Sequence, residues 1–256
     1  MPLLTKTRKL FHLLRYGPYR RALRHGVAAA VEHERLLARL HCNTVVDIGA
    51  NRGQFSLVAR RCFPRARIIA FEPLVGPTAL FRRVFAGDDG VVLHDYALGA
   101  TTATQSIHVS QRDDCSSLLP VTDRQTSLYP GTMELRTEVI KVQTLDDCVS
   151  PQVIENPSLL KLDVQGFELE ALKGAHHLLP YFDYVYSECS FCELYAGQPL
   201  ADAVIAFLAE QGFRVKGVHN TGYSPRGEAV QADFLFVRCS NAKSEQNQLL
   251  GAHVQN

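Results

Sequence analysis

Short apolar runs rich in β-branched residues recur along the chain from residue 44 onward, and helix-length stretches separate them. A continuous apolar run suits a strand that is covered on both faces, as strands of parallel sheets usually are. The pattern therefore predicts a parallel sheet. Its predicted strands are TVVDI (44–48), RIIAF (67–71), VVLHD (91–95), SLLKLD (158–163) and YVYSE (184–188).

The stretches between these runs supply the predicted helices, which are 54–62, 78–85, 167–177 and 200–211. Because strand and helix alternate, we expect an α/β domain with a doubly wound, mostly parallel sheet. Two last strand-like runs, 213–218 and 234–237, are joined by a loop that contains Gly and Pro. They are expected to pair as an antiparallel hairpin at one edge of the sheet.

The chain divides into a helical N-terminal segment (1–41), the α/β domain (42–240) and a polar tail (241–256). Within the first segment, residues 28–40 (AAAVEHERLLARL) combine good helix formers with an apolar spacing of about 3.6 residues. We expect a helix there that lies against the edge of the sheet. The tail has no clear period and is expected to be frayed.

Residues 101–142 interrupt the alternation of strands and helices. They contain strand-like runs at 105–109 and 138–142 around a polar loop. A loop of this length in a compact domain usually has a function. It follows the third predicted strand, whose carboxyl end faces the ligand crevice of an open α/β sheet. We therefore expect a lid or a substrate-binding insertion.

Composition excludes several classes of protein. A chain of 256 residues that is 46% apolar and 21% charged is not globally disordered. A net charge of +1 argues against a dedicated nucleic-acid binder. No apolar run reaches the ~18 residues of a membrane-spanning helix, and we expect no secretory signal. Seven thinly spread cysteines indicate reduced thiols, so the expected compartment is cytoplasmic.

Basic charge is concentrated in residues 1–25, which carry seven Lys and Arg and no acidic residue. Leu, Phe and Tyr lie between these charges. Such a segment can contact an anionic lipid surface, or it can form a solvated helix that packs loosely on the domain. We favour the second interpretation and keep the first open.

The segment VVDIGANRGQFS (45–56) combines an apolar strand, a glycine-containing turn and the start of a helix. This arrangement is typical of a ligand-binding crossover. Glycine at 49 and 53 would allow a ligand to approach the backbone closely. The carboxylate of Asp47 would repel a pyrophosphate and attract a cation, which favours S-adenosylmethionine, a ligand with an ammonium and a sulfonium. A glycine turn with a purely structural role is the alternative.

The next two strands also end in residues that suit a nucleoside. Glu72 of FEP (71–73) lies 23 residues beyond Gly49 and can reach ribose hydroxyls, since neighbouring parallel strands end at the same level. After the third strand, the HDYALGA segment (94–100) is placed to meet an adenine ring. There Asp95 can accept from an amino group, while Tyr96, Ala97 and Leu98 can form a wall beside the ring.

Two carboxylates are expected at the acceptor end of the crevice. Asp163 ends the fourth strand and Glu188 lies near the end of the fifth, so both belong to the same sheet edge. They are candidate partners for a substrate hydroxyl or a metal. The pair Cys189 and Cys192 has C-x-x-C spacing but lacks a second ligand pair, so we expect structural thiols and no metal site.

Taken together, six segments resemble the FkbM family of S-adenosylmethionine-dependent methyltransferases, and the resemblance covers residues 44–237. The segments are VVDIGANRGQFS, FEP, ALG (97–99), SSLLP (116–120), LLKLDVQGFELEALKGA (159–175) and SECSF. The resemblance implies a class I, Rossmann-like methyltransferase fold with a seven-stranded sheet. It also implies methyl transfer to oxygen, often on a sugar or a polyketide-derived molecule.

Site residues are carried over by position in the matching motifs. The resemblance places Asp47, Gly49, Asn51 and Gly53 around the methionine part of the cofactor. It places Glu72 at the ribose, and it places Asp95, Tyr96 and Ala97 at the adenine. Position 165 is Gln where the family commonly has Glu, so no metal or base role is assigned there. A general base helps an alcohol acceptor; Asp163 and Glu188 are the unranked candidates, and a divalent metal can assist.

The leading hypothesis is therefore an S-adenosylmethionine-dependent O-methyltransferase that acts on a hydroxyl of a sugar, glycolipid or polyketide-like acceptor. One alternative is a nicotinamide-dependent oxidoreductase built on the same sheet. A second is a non-catalytic, membrane-peripheral or scaffolding protein that uses its basic N-terminus for contacts. The identity of the acceptor and the oligomeric state are not predicted.

Overall fold

The computed structural model describes residues 13–239. Within this range the strands are β1 (Thr44–Ile48), β2 (Arg67–Phe71), β3 (Val91–His94), β4 (Ala97–Leu98), β5 (Ala103–Ser110), β6 (Glu134–Gln143), β7 (Ser158–Leu162), β8 (Tyr184–Ser190), β9 (Phe213–Tyr223) and β10 (Ala229–Arg238). The helices are α1 (Gly17–Arg24), α2 (Glu34–Leu37), α3 (Gln54–Cys62), α4 (Val75–Val84), α5 (Asp123–Leu128), α6 (Leu145–Cys148), α7 (Glu168–Lys173) and α8 (Ala201–Glu210).

The main sheet has seven strands in the order β3-β2-β1-β7-β8-β10-β9. Neighbouring strands from β3 to β8 are parallel, whereas β10 is antiparallel to both β8 and β9. The predicted doubly wound, mostly parallel sheet with an antiparallel C-terminal hairpin at one edge is confirmed. In the described part of the chain no helix is long and apolar enough to cross a membrane.

Both faces of the sheet are covered, which explains the continuous apolar runs. All five residues of β1 and of β7 are buried. On one face, Leu160 and Val185 pack with residues of α7 and α8. On the other face, Val45 and Leu159 pack with residues of α1, α2 and α3. Each strand therefore contributes apolar side chains in both directions, as expected for a parallel sheet.

The N-terminal segment differs from the prediction in shape and position. Residues 28–40 form a short 3-10 turn (Val31–His33) followed by α2, instead of one helix. Leu36 and Leu37 are buried against the face of the sheet and not at its edge. The reason is that the chain must turn to bring these two leucines onto the apolar surface between α1 and α3.

Helix α1 is packed more tightly than the expected solvated helix. Tyr19 and Ala22 are completely buried. The guanidinium carbon of Arg61 lies 4.9 Å from the ring centroid of Tyr16 and 5.5 Å from that of Tyr19, which adds cation–π contacts. The predictions for residues 1–12 and for the tail at 241–256 lie outside the described residues.

The stretch 101–142 folds as a small sheet of its own. Strands β5 and β6 form an antiparallel pair, and β4 joins β6 in parallel. Between β5 and β6 the chain forms a 3-10 turn (Asp113–Cys115) and α5. The strands predicted at 105–109 and 138–142 are confirmed and are longer than predicted. The segment between them reaches back over the main sheet.

Candidate active site

A cavity of about 500 Å³ lies at the carboxyl ends of β1, β2, β7 and β8. This is the edge at which open α/β sheets bind their ligands, and the volume suits a small-molecule site. The insertion covers one side through residues 112–118, and residues 28–30 with Glu32 and His33 form another wall. The prediction that 101–142 contributes to the ligand site agrees with this geometry.

Gly49 marks the tightest point of the turn after β1. Its φ is +77°, and a Cβ built there would lie 1.9 Å from the carbonyl oxygen of Asp163. The amides of Gly49 and Ala50 both donate to the carbonyl of Phe71, at 3.1 and 3.0 Å. Only glycine allows the loops after β1 and β7 to approach this closely. Gly49 and Asn51 line the cavity.

Gly53, by contrast, is not among the cavity-lining residues. With φ of +88°, a Cβ there would lie 2.6 Å from the Phe85 ring and 3.0 Å from that of Phe81. Gly53 is thus required for packing of α3 against α4. The predicted contact of Gly53 with a cofactor is therefore corrected: Gly53 packs against the Phe81 and Phe85 rings instead of lining the cavity.

The Asp47 side chain is also absent from the cavity wall. Its exposed fraction is 0%, Oδ2 accepts a 2.6 Å hydrogen bond from Ser56, and Oδ1 lies 3.4 Å from Lys161 Nζ. Burial acts to lower the pKa of Lys161, but the Asp163 and Asp47 carboxylates raise it above its ordinary value. The expectation that Asp47 faces a ligand cation is therefore corrected: its counterion is an internal lysine.

Glu72 lies where the sequence predicted. Its carboxylate accepts from the amide of Asn51 at 3.0 Å and from that of Leu74 at 2.9 Å, and it lines the cavity. Burial raises the pKa of Glu72 to about 7, although both amide hydrogen bonds act to lower it. Because a carboxylate has about four acceptor positions, capacity remains for two hydroxyl groups.

Of the predicted adenine segment (94–100), Ala97 and Leu98 line the cavity, next to Phe71. Asp95 is exposed and pairs with Arg82. The Tyr96 hydroxyl is 3.2 Å from His94 Nδ1. The predicted cofactor contacts of Asp95 and Tyr96 are therefore corrected, since the chain turns between β3 and β4 and directs both side chains elsewhere.

Asp163 and Glu188 are brought together as predicted. The side-chain amide of Gln165 donates to Asp163 Oδ1 at 2.7 Å and to Glu188 Oε2 at 3.2 Å. Gln231 donates to the other Glu188 oxygen at 2.7 Å. Burial, followed by the negative charge of Asp163, raises the pKa of Glu188 well above its ordinary value. A carboxylate with a raised pKa is suited to accepting a proton near neutral pH.

Sequence reasoning missed the residues by which the insertion closes the cavity. Arg52 pairs with Asp113 at 2.5 Å, and Ser117 Oγ donates to the carbonyl of Gln165 at 2.7 Å. Gln125 and Tyr129, which also line the cavity, flank the second half of the insertion. The length and position of the 101–142 stretch and its SSLLP segment predicted a wall here, but not these individual contacts.

His33 is another lining residue that the sequence did not indicate. Its Nδ1 is 3.0 Å from the Tyr186 hydroxyl, which donates to Asp233 Oδ2 at 3.0 Å. Asn220 donates to the same Asp233 oxygen at 2.8 Å. A single His in a helical stretch gave no reason to expect this cluster.

The next feature is the state of the cysteine side chains and of the possible metal ligands. All seven cysteines lie within the described residues and are free. Cys189 packs in the core and Cys192 contacts the carbonyl of Val230. Within residues 13–239, no group of three or more His, Cys, Asp and Glu side chains is placed to hold a metal ion.

The donor set of the cavity fits S-adenosylmethionine. Glu72 offers acceptors for a diol, and Phe71, Ala97 and Leu98 offer an apolar surface for a base. The charged groups at the cavity include the carboxylates of Asp113, Asp114, Asp163 and Glu188. Arg112 is paired with Asp114, Lys161 lies near Asp47 and Asp163, and Arg52 is paired with Asp113. The carboxylates that line the cavity still outnumber its lysine and arginine side chains. This balance favours a cationic ligand over a diphosphate.

Strand order, the antiparallel C-terminal hairpin and a cavity at the carboxyl ends define the class I methyltransferase fold. The chain belongs to the FkbM methyltransferase family: the profile described as "Methyltransferase FkbM domain" matches residues 47–215. The resemblance inferred from the motifs is thereby confirmed.

Named relatives agree with this assignment. The chain is 26% identical over 170 residues to "2-O-methyltransferase NoeI" of Sinorhizobium fredii. The matched region covers 64% of this chain and 70% of that protein. It is 28% identical over 148 residues to "Hexuronic acid methyltransferase AglP" of Haloferax volcanii, covering 56% of this chain and 54% of that protein. The magnesium protoporphyrin IX methyltransferase of Synechocystis, solved with bound SAM, aligns with a TM-score of 0.43 and 12% identity over 81% of this chain and 80% of that chain.

Proposed function

We propose that the protein is an S-adenosylmethionine-dependent O-methyltransferase that acts on a hydroxyl of a small molecule, namely a sugar, glycolipid or polyketide-like acceptor. The observation that carries the proposal is one cavity with two functional ends. Glu72 and the apolar wall lie at one end, and the Asp163–Glu188 pair lies at the other. The name of NoeI, a 2-O-methyltransferase, supports transfer to oxygen, and the name of AglP, a hexuronic acid methyltransferase, supports a sugar acceptor.

At the cofactor end, Glu72 accepts from the ribose hydroxyls, and Phe71, Ala97 and Leu98 cover the adenine. The backbone at Gly49 and Asn51 lies along the methionine part. When bound, the cofactor supplies an activated methyl group on a positively charged sulfur. The carboxylates of the cavity stabilise that charge. The covering insertion keeps the methyl donor aligned with the hydroxyl of the acceptor, and this alignment is the main requirement for an in-line displacement.

At the acceptor end, Glu188 is the general base. It would take the proton of the acceptor hydroxyl as that oxygen receives the methyl group. S-adenosylmethionine held at Glu72 would supply the methyl group and would leave as the neutral thioether, with the electron pair of the carbon–sulfur bond on sulfur. Asp163, half-exposed and next to Lys161 at 3.6 Å, orients the hydroxyl. The ranking follows from the raised pKa of Glu188, since a base is most effective when its pKa lies near the working pH.

The alternatives from the sequence are weaker on these observations. The family match favours a methyltransferase over an oxidoreductase, and the carboxylates around the cavity disfavour a diphosphate. A membrane contact through residues 1–25 stays a prediction, because 1–12 lie outside the described residues. The cytoplasmic location also stays a prediction, supported by free thiols.

Replacing Glu72 by Gln is expected to raise the dissociation constant for S-adenosylmethionine by about 10- to 100-fold, the value of one or two hydrogen bonds to a charged group. The amide presents N–H groups toward the backbone donors of Asn51 or Leu74, so it cannot reproduce the carboxylate. Isothermal titration calorimetry with S-adenosylmethionine and S-adenosylhomocysteine measures the change.

Asp95→Asn is the matched control, because Asp95 is exposed, pairs with Arg82 and is not among the cavity-lining residues. It is expected to leave the dissociation constant unchanged. Equal losses in both variants would contradict the placement of Glu72 at the ribose. If the wild-type protein binds neither ligand, the proposed function is wrong. Incubation with labelled methyl donor and a metabolite extract, followed by mass spectrometry, then identifies the acceptor.

A further inference from the structure

Among residues 13–239, Gln165 is the one side chain that donates hydrogen bonds to both carboxylates, Asp163 and Glu188, at the acceptor end of the cavity. Its Nε2 group lies 2.7 Å from Asp163 Oδ1 and 3.2 Å from Glu188 Oε2. An ionised carboxylate can only accept hydrogen bonds, and a side-chain amide nitrogen has two N–H groups to donate. The two donors of Gln165 are therefore matched to two acceptors on different strands.

The orientation of this amide is fixed from the opposite side. The Tyr195 hydroxyl has one hydrogen to donate; Gln165 Oε1 at 2.7 Å is its nearer acceptor and the carbonyl oxygen of Cys115 at 3.1 Å the more distant one. Tyr195 is itself 2% exposed. Gln125, from the insertion, donates to the Tyr195 oxygen at 3.2 Å. Because Oε1 is held by a hydroxyl donor, Nε2 must face the carboxylates.

The backbone of Gln165 is held as well. Its φ is +55°, a left-handed conformation that is rare for a residue with a side chain. Ser117 Oγ donates to its carbonyl at 2.7 Å. Thus the insertion supports both the backbone and the side chain of a residue that lies between β7 and β8.

We propose that Gln165 is a positioning residue whose amide, oriented by Tyr195, joins Asp163 to Glu188 and keeps Glu188 able to accept a proton. This inference rests on the proposed function. Its physical basis is that a buried carboxylate beside a second carboxylate loses its charge unless donors stabilise the ionised form. Gln165 and Gln231 are the side-chain donors that the structure places on Glu188.

Other charged and titratable groups also act on Glu188. The negative groups disfavour its ionised form, whereas Lys161 favours it. These neighbours come from β7, from the loops after β7, β8 and α5, and from α7 and β10. They are Lys161, Asp163, Tyr129, Glu168, Tyr195 and Asp233. Gln165→Leu removes the donor and leaves this set unchanged, so a shift in that variant reports on the donor alone, whereas the shift in Gln165→Glu also includes the effect of the added charge.

Gln165→Glu is the main test because it keeps the size of the side chain and the hydrogen bond from Tyr195. It replaces both donors by an acceptor and adds a third negative charge. Glu188 then holds its proton to a higher pH, so the acidic limb of the kcat–pH profile is expected to move up by at least about one pH unit. At a pH on the wild-type limb, kcat falls at least ~10-fold and recovers as the pH is raised.

Two further variants separate this role from a general loss of structure. Gln152→Glu makes the same replacement at an exposed position in the Pro151–Val153 turn, and the profile is expected to stay unchanged. Tyr195→Phe frees the amide to rotate, so kcat falls while the dissociation constant for S-adenosylmethionine stays at the wild-type value. A Gln165→Glu profile that superimposes on the wild-type profile after scaling overturns the proposal.

A measurement without turnover distinguishes this inference from the proposed function. Infrared difference spectra of protein labelled with ¹³C at Glu carboxyls report protonation of Glu188, with Glu188→Gln as the assignment control. In Gln165→Leu, which adds no carboxyl group, the titration midpoint is expected to rise. An unchanged midpoint overturns the inference even in an active enzyme. A raised midpoint supports it even if no methyl transfer is found.

Discussion

Glu188→Gln is expected to lower kcat by about 100- to 10,000-fold, the range that positioned proton transfer contributes. The substitution keeps the shape of the side chain and replaces a proton acceptor by an amide. Because Glu188 lies away from Glu72, the dissociation constant for S-adenosylmethionine is expected to stay at the wild-type value. Steady-state kinetics with the acceptor identified from the extract, combined with calorimetry, measures both quantities.

Asp163→Asn is the comparison that ranks the two carboxylates. Asp163 is 39% exposed and lies 3.6 Å from Lys161, and the loss of its carboxylate is expected to raise KM for the acceptor more than it lowers kcat. A large fall of kcat in Asp163→Asn with little change in Glu188→Gln would transfer the base role to Asp163. In the wild type, activity falls as the pH drops below the raised pKa of Glu188, because the proton then occupies the base.

The strands were predictable because burial on both faces leaves a continuous apolar run. TVVDI and RIIAF coincide with β1 and β2, and α3 coincides with the predicted 54–62. The hairpin of β9 and β10 was predictable in place but not in length, since these strands alternate buried and exposed residues over part of their course. Periodicity thus predicted the architecture better than it predicted the ends of the elements.

Contacts between distant parts of the chain were not predictable. Gln125 meets Tyr195 across 70 positions of sequence, and Gln231 reaches Glu188 because β10 pairs with β8 in a register that places Asp233 opposite Glu188. The local sequence pattern predicts neither the register of β10 against β8 nor the return of the insertion over the sheet. The carboxylate pair was predictable, whereas the amides that hold it were not.

The position of Asp47 was predictable from strand geometry alone. Side chains alternate along a strand, so Asp47 shares a face with Val45, and that face is covered by α3. Lys161 was a second signal, because a lysine within the apolar run SLLKLD is rarely buried without a partner. The two residues are paired in register across β1 and β7, which brings the opposite charges together beneath the cavity.

Lys161→Met is expected to lower the free energy of unfolding by about 3–5 kcal/mol, the usual cost of removing one partner from a buried ion pair. Asp47 is completely buried, and among the described residues its Oδ1 has no hydrogen-bond partner apart from this counterion at 3.4 Å. The variant therefore leaves a buried charge without compensation. Urea denaturation followed by circular dichroism measures the change, with the wild-type protein as reference.

Lys173→Met is the matched control, because Lys173 forms an exposed pair with Glu170 and its removal is expected to cost about 0.5 kcal/mol or less. The double variant Lys161→Met with Asp47→Asn removes both charges while Ser56 retains an acceptor. It is expected to regain a large part of the lost stability, since a neutral replacement of a buried pair avoids the cost of burying charge. A Lys161→Met variant no less stable than Lys173→Met would show that Asp47 carries no buried charge, and the internal pairing that keeps this carboxylate away from the cavity would then be wrong.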